Sequence, residues 1–361
     1  MEAAIFRARA SPGRYVFHVG SADQVLRFSD ALAESRGRAN ECSLFLGNGF
    51  SMAWDRDIFG YQSLFDEADL RDLTVGKEPL FNAFGTHDFE TIIEHLHVAE
   101  KLAEVYKLSD ADFRRNLGND ANVIRTALPR VLAKRHPDSA TRVNATQYGF
   151  ARRFLSEFAN IFTVNYDLLL YWAIVDAAGL ATYRDGFRNA DDGSGLIWHS
   201  PDAAKDQNVF YLHGALHLYA KFHELWKLRY APGQLLVDQI RRNLEANVYP
   251  LVVTEGKSEE KLHRISQSPY LKYCYDRLRD LNGSLFIYGF SFSEADKHVI
   301  DLLDNNPQLI ELYISVYGSP GGDGYDNPLR AGERIEARSR ANGLSLRVRY
   351  FDAQTAQVWA I

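Results

Sequence analysis

The chain has 361 residues, 46% of them hydrophobic and 24% charged, with a formal net charge of −6. That length supports a full hydrophobic core in one large domain or two, and the acidic balance excludes bulk nucleic-acid binding through a basic surface. Its two cysteines, Cys42 and Cys274, form no Cys-x-x-Cys pair, which excludes both a disulfide framework and a thiolate zinc ribbon.

Residues 1–40 read as an N-terminal extension with a short strand at 15–19 and a helical stretch ending near Arg38. They lack the apolar core of a signal peptide, and no run in the chain approaches the ~20 apolar residues that span a bilayer. A cytoplasmic protein without membrane contact is the expectation. A strand at 43–46 runs straight into Gly47-Asn48-Gly49, and a helix should begin at Phe50. Residues 55–158 show helical periodicity and form a helical insertion. Within it, 88–108 places Phe89, Ile92, Ile93, Leu96, Ala99, Leu102, Ala103 and Tyr106 on one side, with Thr86 or Asp88 as cap and Glu90 in the first turn. Further helices are predicted at 110–135 and 143–159.

Strands and helices then alternate. Strands are predicted at 161–164, 209–212, 249–253, 284–288, 309–316 and 344–351, and helices at 167–178, 234–246, 258–268, 270–281, 294–304 and 328–342. This implies an α/β fold: a Rossmann-like doubly wound parallel sheet, made by residues 41–54 and 159–361, with the helical insertion between them. Residues 318–328 read as a flexible glycine-rich loop, and the apolar end at 358–361 packs on the domain or on a neighbouring subunit.

In such a sheet, ligands bind beyond the carboxyl ends of strands, so the loops that follow strands matter most. Gly47-Asn48-Gly49-Phe50-Ser51 offers glycine backbone, a helix N-terminus and a hydroxyl to a phosphate, although a plain strand-to-helix turn uses the same residues. Thr163-Val164-Asn165-Tyr166-Asp167 offers an amide and a carboxylate, and Asp167 equally suits an N-cap. His213, followed by Gly214, is either a core histidine or an imidazole at a strand end. Its partner at i+4, His217, would complete a metal pair only on a helix, which this segment does not predict. In Gly256–Lys261, Lys257 is the phosphate candidate against a solvated cap. Asp88 and Glu90 either complement the helix dipole or face the site.

In this order, Gly-x-Gly-x-Ser, Thr-x-Asn-x-Asp, His-Gly and the Gly289-Phe290-Ser291 turn resemble the landmarks of sirtuin-like NAD-binding domains. Over about residues 42–305 the chain resembles a zinc-less bacterial branch of that superfamily, through LGNGFS, GTHDFE, TVNYD, YLHGALHLY, PLVVTEGKSEEK and YGFSFSEADKH. Asn48 and Val164 stand where deacetylases carry alanine and glutamine. The resemblance implies an NAD+ glycohydrolase, a regulated NAD-depleting effector of antiphage defence. Asn165, His213 and Asp167 would be catalytic. Gly47, Asn48, Gly49, Phe50, Ser51, Thr163, Gly289, Ser291 and Asp296 would bind NAD+, with Asp296 a helix cap or an ion-pair partner. NAD+ would be substrate rather than cofactor, with no metal expected. Homo-oligomers or a regulatory sensor protein are the expected partners, and no direct nucleic-acid contact. Two other readings stand beside this one: a non-catalytic NAD+ or ADP-ribose sensor, and a protein deacylase.

Overall fold

The computed structural model describes residues 25–39, 41–108, 110–176, 179–191, 195–202, 204–221, 224–230 and 235–360. The strand expected at 15–19 and the terminal Ile361 lie outside them. Eleven strands are present among the described residues: β1 Val25–Leu26, β2 Cys42–Leu46, β3 Asn160–Thr163, β4 Arg188–Asn189, β5 Leu196–Trp198, β6 Val209–Tyr211, β7 Leu218–Lys221, β8 Glu224–Lys227, β9 Gly283–Tyr288, β10 Leu309–Val316 and β11 Arg347–Asp352. Seven of them form an all-parallel sheet in the order β1-β11-β10-β9-β2-β3-β6.

Central strands β2 and β9 are buried at every position, as continuous apolar runs covered by helices on both faces must be. Leu44, Phe45, Leu46, Phe286 and Ile287 form the middle of the core, and the Phe286 ring stacks on Tyr313 at 4.5 Å. Cys42 and Cys274 are buried free thiols. No helix among the described residues is long and apolar enough to cross a membrane.

Between β2 and β3 the described residues are helices and their connections: Gly49–Met52, Arg56–Phe59, Tyr61–Glu67, Lys77–Phe84, Phe89–Val105, Ala111–Arg135 and Ala145–Leu155. Asp88 caps the fifth of these by accepting from Glu90 N at 3.0 Å. The apolar stripe predicted for that helix is buried only in part. Phe89, Ile92, Ile93, Leu96 and Ala103 are covered, whereas Leu102 is 51% exposed and Tyr106, just past the helix end, is 76% exposed.

Three sequence expectations are corrected. The segment 249–253 is not a sheet strand; it makes one isolated bridge, Gly214 to Val252, because Pro250 has no N–H to donate and the segment instead crosses the turn after β6. The loop at 318–328 ends early, since a helix spans Asp323–Ala341 and carries Pro328 in its second turn. A four-stranded antiparallel sheet, β4-β5-β8-β7, was not foreseen; its strands are two to four residues long, too short to show an alternating pattern. The apolar C-terminus resolves to the domain itself: Trp359 is 2% exposed, packs tilted against the Phe50 ring at 5.1 Å, and donates from Nε1 to Phe50 O at 2.8 Å.

Candidate functional site

From β2 the chain builds outward through β3 to β6 on one side of the sheet, then returns to lay β9, β10 and β11 on the other. The reversal falls between β2 and β9. A doubly wound sheet opens a crevice there at the carboxyl ends of its strands. A cavity of about 1050 Å³ occupies that place. Its floor is made by residues that follow strands: Asn48 and Gly49, Asn165 and Asp167, His213, Gly289 and Ser291, Gly318 and Ser319, Gln354 and Trp359. The helical insertion roofs it with Arg56, Tyr61, Asp88, Glu90, Leu128 and Leu132.

Asn165 and His213, 48 positions apart in sequence, therefore face one cavity. Asn48, Gly49, Asp167, Gly289, Ser291 and Asp296 line it with them, and Ser291 is exposed to it. Gly47, Phe50, Ser51 and Thr163 do not line it, and each serves the frame instead. Thr163 accepts from Asn165 N at 3.0 Å and fixes the turn after β3. Phe50 is core. Gly47 and Gly49 exist for close approach rather than for exposed amides. A β-carbon on Gly49 would stand 2.4 Å from Gly289 Cα, and one on Gly47 would stand 2.5 Å from Gly289 O. Their N–H groups are spent on Tyr288 O and Gly289 O, at 3.0 and 2.8 Å. The helix that follows has only four residues, so the expected phosphate cradle on a helix N-terminus is not built here. Gly289 itself holds φ 66°, a left-handed value natural to glycine.

Ser51 links the amide and the carboxylate. Asn165 Nδ2 donates to Ser51 Oγ at 3.1 Å, and Ser51 donates to Asp167 Oδ2. Asp167 also accepts from Leu169 N at 2.8 Å, so it fixes the turn into the helix Leu169–Val175, whose N-cap is Leu168, and supports Ser51 at once. Burial raises its pKa, and the Ser51 bond works against that. With its NH2 committed to Ser51, Asn165 leaves its Oδ1 acceptor for the cavity.

His213 sits on the turn after β6. Gly214 follows at φ 75°, where a β-carbon would lie 1.9 Å from Leu251 O, so the 250–253 segment can close over the turn only beside glycine. His213 Nε2 lies 3.0 Å from His298 Nε2. On the far side of that ring, His298 Nδ1 is 3.2 Å from Ser258 Oγ, which also accepts from His298 N at 2.6 Å. Burial keeps both imidazoles neutral, with the pKa of His298 pushed down to about 4. His217 is not a partner. It is fully buried, stacks on Tyr171 at 4.3 Å, and lies on no helix.

Beside the two histidines lies an ion cluster. Lys261 is wholly buried and donates to Asp296 Oδ1 at 2.8 Å and to Glu90 Oε2. Burial pushes Asp296 upward, but attraction to Lys261 more than offsets it and holds the carboxyl at about 2. For Glu90, burial dominates over Lys261 and raises the pKa to about 7. The geometry agrees: the Tyr166 hydroxyl is 2.6 Å from Glu90 Oε1 and 2.5 Å from Val253 O, and one phenol proton cannot serve both acceptors. A proton on Glu90 Oε1 satisfies both contacts. Asp88 stands close by, also raised mainly by burial.

Sequence reasoning missed His298, Ser258, Lys261 and Tyr166. Lys261 closes the same GKSEEK string in which Lys257 had been singled out, but Lys257 is the extended N-cap outside the helix Ser258–Ser266, whereas Lys261 lies on that helix's buried face with Ser258 and Ile265. His298 stands two residues after Asp296 in the SEADKH string; only the fold carries it across to His213. Of the acids weighed, Asp88 and Glu90 do face the cavity.

No curated protein matches the chain. Over residues 44–359 it matches the family model DUF4917, described as a domain of unknown function, and on that match the chain belongs to the DUF4917 family.

Proposed function

We propose that this protein is an NAD+ glycohydrolase that releases nicotinamide and leaves ADP-ribose, acting as a regulated NAD-depleting effector of antiphage defence in the manner of zinc-less sirtuin-like proteins. The reading is supported above all by the convergence of Asn165 and His213 on one cavity at the switch point of the sheet. Its volume of about 1050 Å³ suits a dinucleotide.

Nicotinamide in NAD+ is a cation and leaves as a neutral base, so its departure needs no proton. The positive charge passes to the ribose as the bond breaks. A site for this chemistry should present acids to the cationic ring and an acceptor to the attacking hydroxyl. Asp296, ionised beside Lys261, meets the first need, and Glu90 can release its proton as a cation enters beside it. For the second, Asn165 Oδ1 orients water or a ribose hydroxyl, and the neutral His213 imidazole accepts its proton. Asp167 acts through Ser51 to hold the Asn165 amide in register. Arg56, on the roof, and Ser291, on the floor, are the donors offered to the pyrophosphate and distal ribose.

The test is nicotinamide release from NAD+ by the purified chain, and NAD+ loss in cells expressing it with and without phage challenge. His213→Ala and Asn165→Ala should each lower release by about 10²–10⁴-fold with the fold intact by circular dichroism. Full turnover in both folded variants removes the mechanism. Tight NAD+ binding without turnover under any trigger favours the sensor reading, and an acyl-peptide-dependent product favours the deacylase.

A further inference from the structure

Two buried imidazoles that aim the same ring nitrogen at one point, with a buried carboxylate beside them, are the makings of a metal centre. His213, Asp296 and His298 meet that description: one donor atom from each lies within 4.8 Å of the other two, and all three residues are buried. We propose that they form a binding site for a divalent first-row transition metal, and that an ion there switches the cavity off.

The distances carry the geometry. Two nitrogens at about 2.1 Å from one ion, the usual length for a histidine ligand, sit about 3.0 Å apart at right-angled positions and about 3.4 Å apart at tetrahedral ones. His213 Nε2 and His298 Nε2 are separated by 3.0 Å. Outer partners of the kind that hold metal ligands in place are also present. Ser258 Oγ meets His298 on its other ring nitrogen at 3.2 Å, and Lys261 grips Asp296 Oδ1 at 2.8 Å, leaving the second carboxylate oxygen uncommitted to lysine. Two histidines and one carboxylate fill one side of a coordination shell and leave the other positions open. Those positions face the cavity, since His213 and Asp296 line it. Two separate segments supply the set: the turn after β6 gives His213, and the 3-10 turn Glu294–Asp296, continuous with the helix Lys297–Asn305, gives Asp296 and His298.

Coordination uses the His213 lone pair that the hydrolytic reading needs for its proton. Occupancy by metal and action as a base exclude each other, so a bound ion silences turnover. This consequence rests on the NAD+ reading; metal binding does not.

The full chain, stripped with chelator, is titrated with Zn2+ by calorimetry and with Co2+ by visible absorption. One saturable equivalent is expected, with ligand-field bands for Co2+ that Zn2+ erases. His298→Ala should weaken Zn2+ binding more than 100-fold, and Asp296→Asn and Ser258→Ala by about 10–100-fold. His298→Gln, closer in volume, repeats the loss if the alanine variant unfolds. Absence of a saturable equivalent overturns the site, as does binding that these variants leave unchanged. A proton shared between the two imidazoles, seen by nitrogen NMR to persist at saturating Zn2+, also overturns it. In the NADase assay Zn2+ should suppress nicotinamide release at one equivalent, and release that is unchanged or raised overturns the switch. Zn2+ binding by a chain that never hydrolyses NAD+ leaves the site standing and removes the hydrolytic reading instead.

Discussion

The two ends of the parallel sheet each bury charge, in opposite ways. Toward the start of β10, Glu311 is 1% exposed and is paired with Arg347, with Arg38 at 3.8 Å, and with the Tyr313 hydroxyl at 2.8 Å. Glu34 joins through Arg347 and Arg349, at 3.5 and 3.2 Å. Arginines outnumber acids there, and the Arg38 side chain is 51% exposed, so its charge reaches water. At the carboxyl ends, Glu90 and Asp296 share one ammonium, that of the fully buried Lys261. This cluster is one cation short. It makes up the difference by holding a proton on Glu90 and by facing a cavity that a cation can enter. An ion network with surplus cations at the surface fastens strands, whereas one with a deficit beside a cavity must take up a proton or another cation to balance its charge.

The largest effect should come from removing the single cation. Lys261→Met leaves two largely buried carboxylates without their partner and should cost about 3–5 kcal/mol in urea unfolding at neutral pH. A loss below about 1 kcal/mol would mean that water already solvates the cluster and would break the contrast. Next comes pH. The folded pKa of Glu90, about 7, lies above its reference value of 4.5, so its contribution is full below pH 4.5 and is lost as pH rises through about 7. Stability should fall by on the order of 2–3 kcal/mol across that window from this group, and Glu90→Gln should flatten the profile. A variant profile that still tracks the wild type would place the proton elsewhere. At the other end of the sheet, Arg347→Met should cost only about 1–2 kcal/mol and less in high salt, because Arg38 and Tyr313 remain on Glu311. A cost equal to that of Lys261→Met would erase the distinction. Smallest of all, Lys257→Ala removes a surface pair with Glu260 at 3.9 Å and should change stability by less than about 0.5 kcal/mol in the same urea unfolding.

The legibility of the site followed the range of its interactions. Strands β2, β9 and β10 were plain as largely apolar runs, and the strings that follow strands marked the crevice because chain direction alone puts loops at strand ends. Asn165, His213, Asp296, Gly289 and Ser291 were singled out in the strings after β3, β6 and β9, and all five line the cavity. The glycines of the 47–49 turn were found too, with a different task. Spacing alone cannot tell a turn that cradles a phosphate from one that packs on a second turn 240 residues away at Gly289. Ser51 was read as a ligand donor, but it bridges Asn165 to Asp167, a role set by two partners more than 100 positions distant. The short strands β4, β5, β7 and β8 gave no periodic signal because two to four residues do not span enough alternations.

Sequence by itself determined the parallel sheet, the helical insertion and which loops would gather at one edge, since burial on both faces and strand–helix alternation are local facts of composition. Tertiary structure alone decided which side chains meet. His298 reaches His213 across 85 positions, Lys261 reaches Glu90 across 171, and whether a buried carboxylate keeps its charge or takes a proton depends on that company. The physical reason is that electrostatic free energy in a dry interior is fixed by the nearest few groups, and the fold chooses those neighbours without regard to their order along the chain.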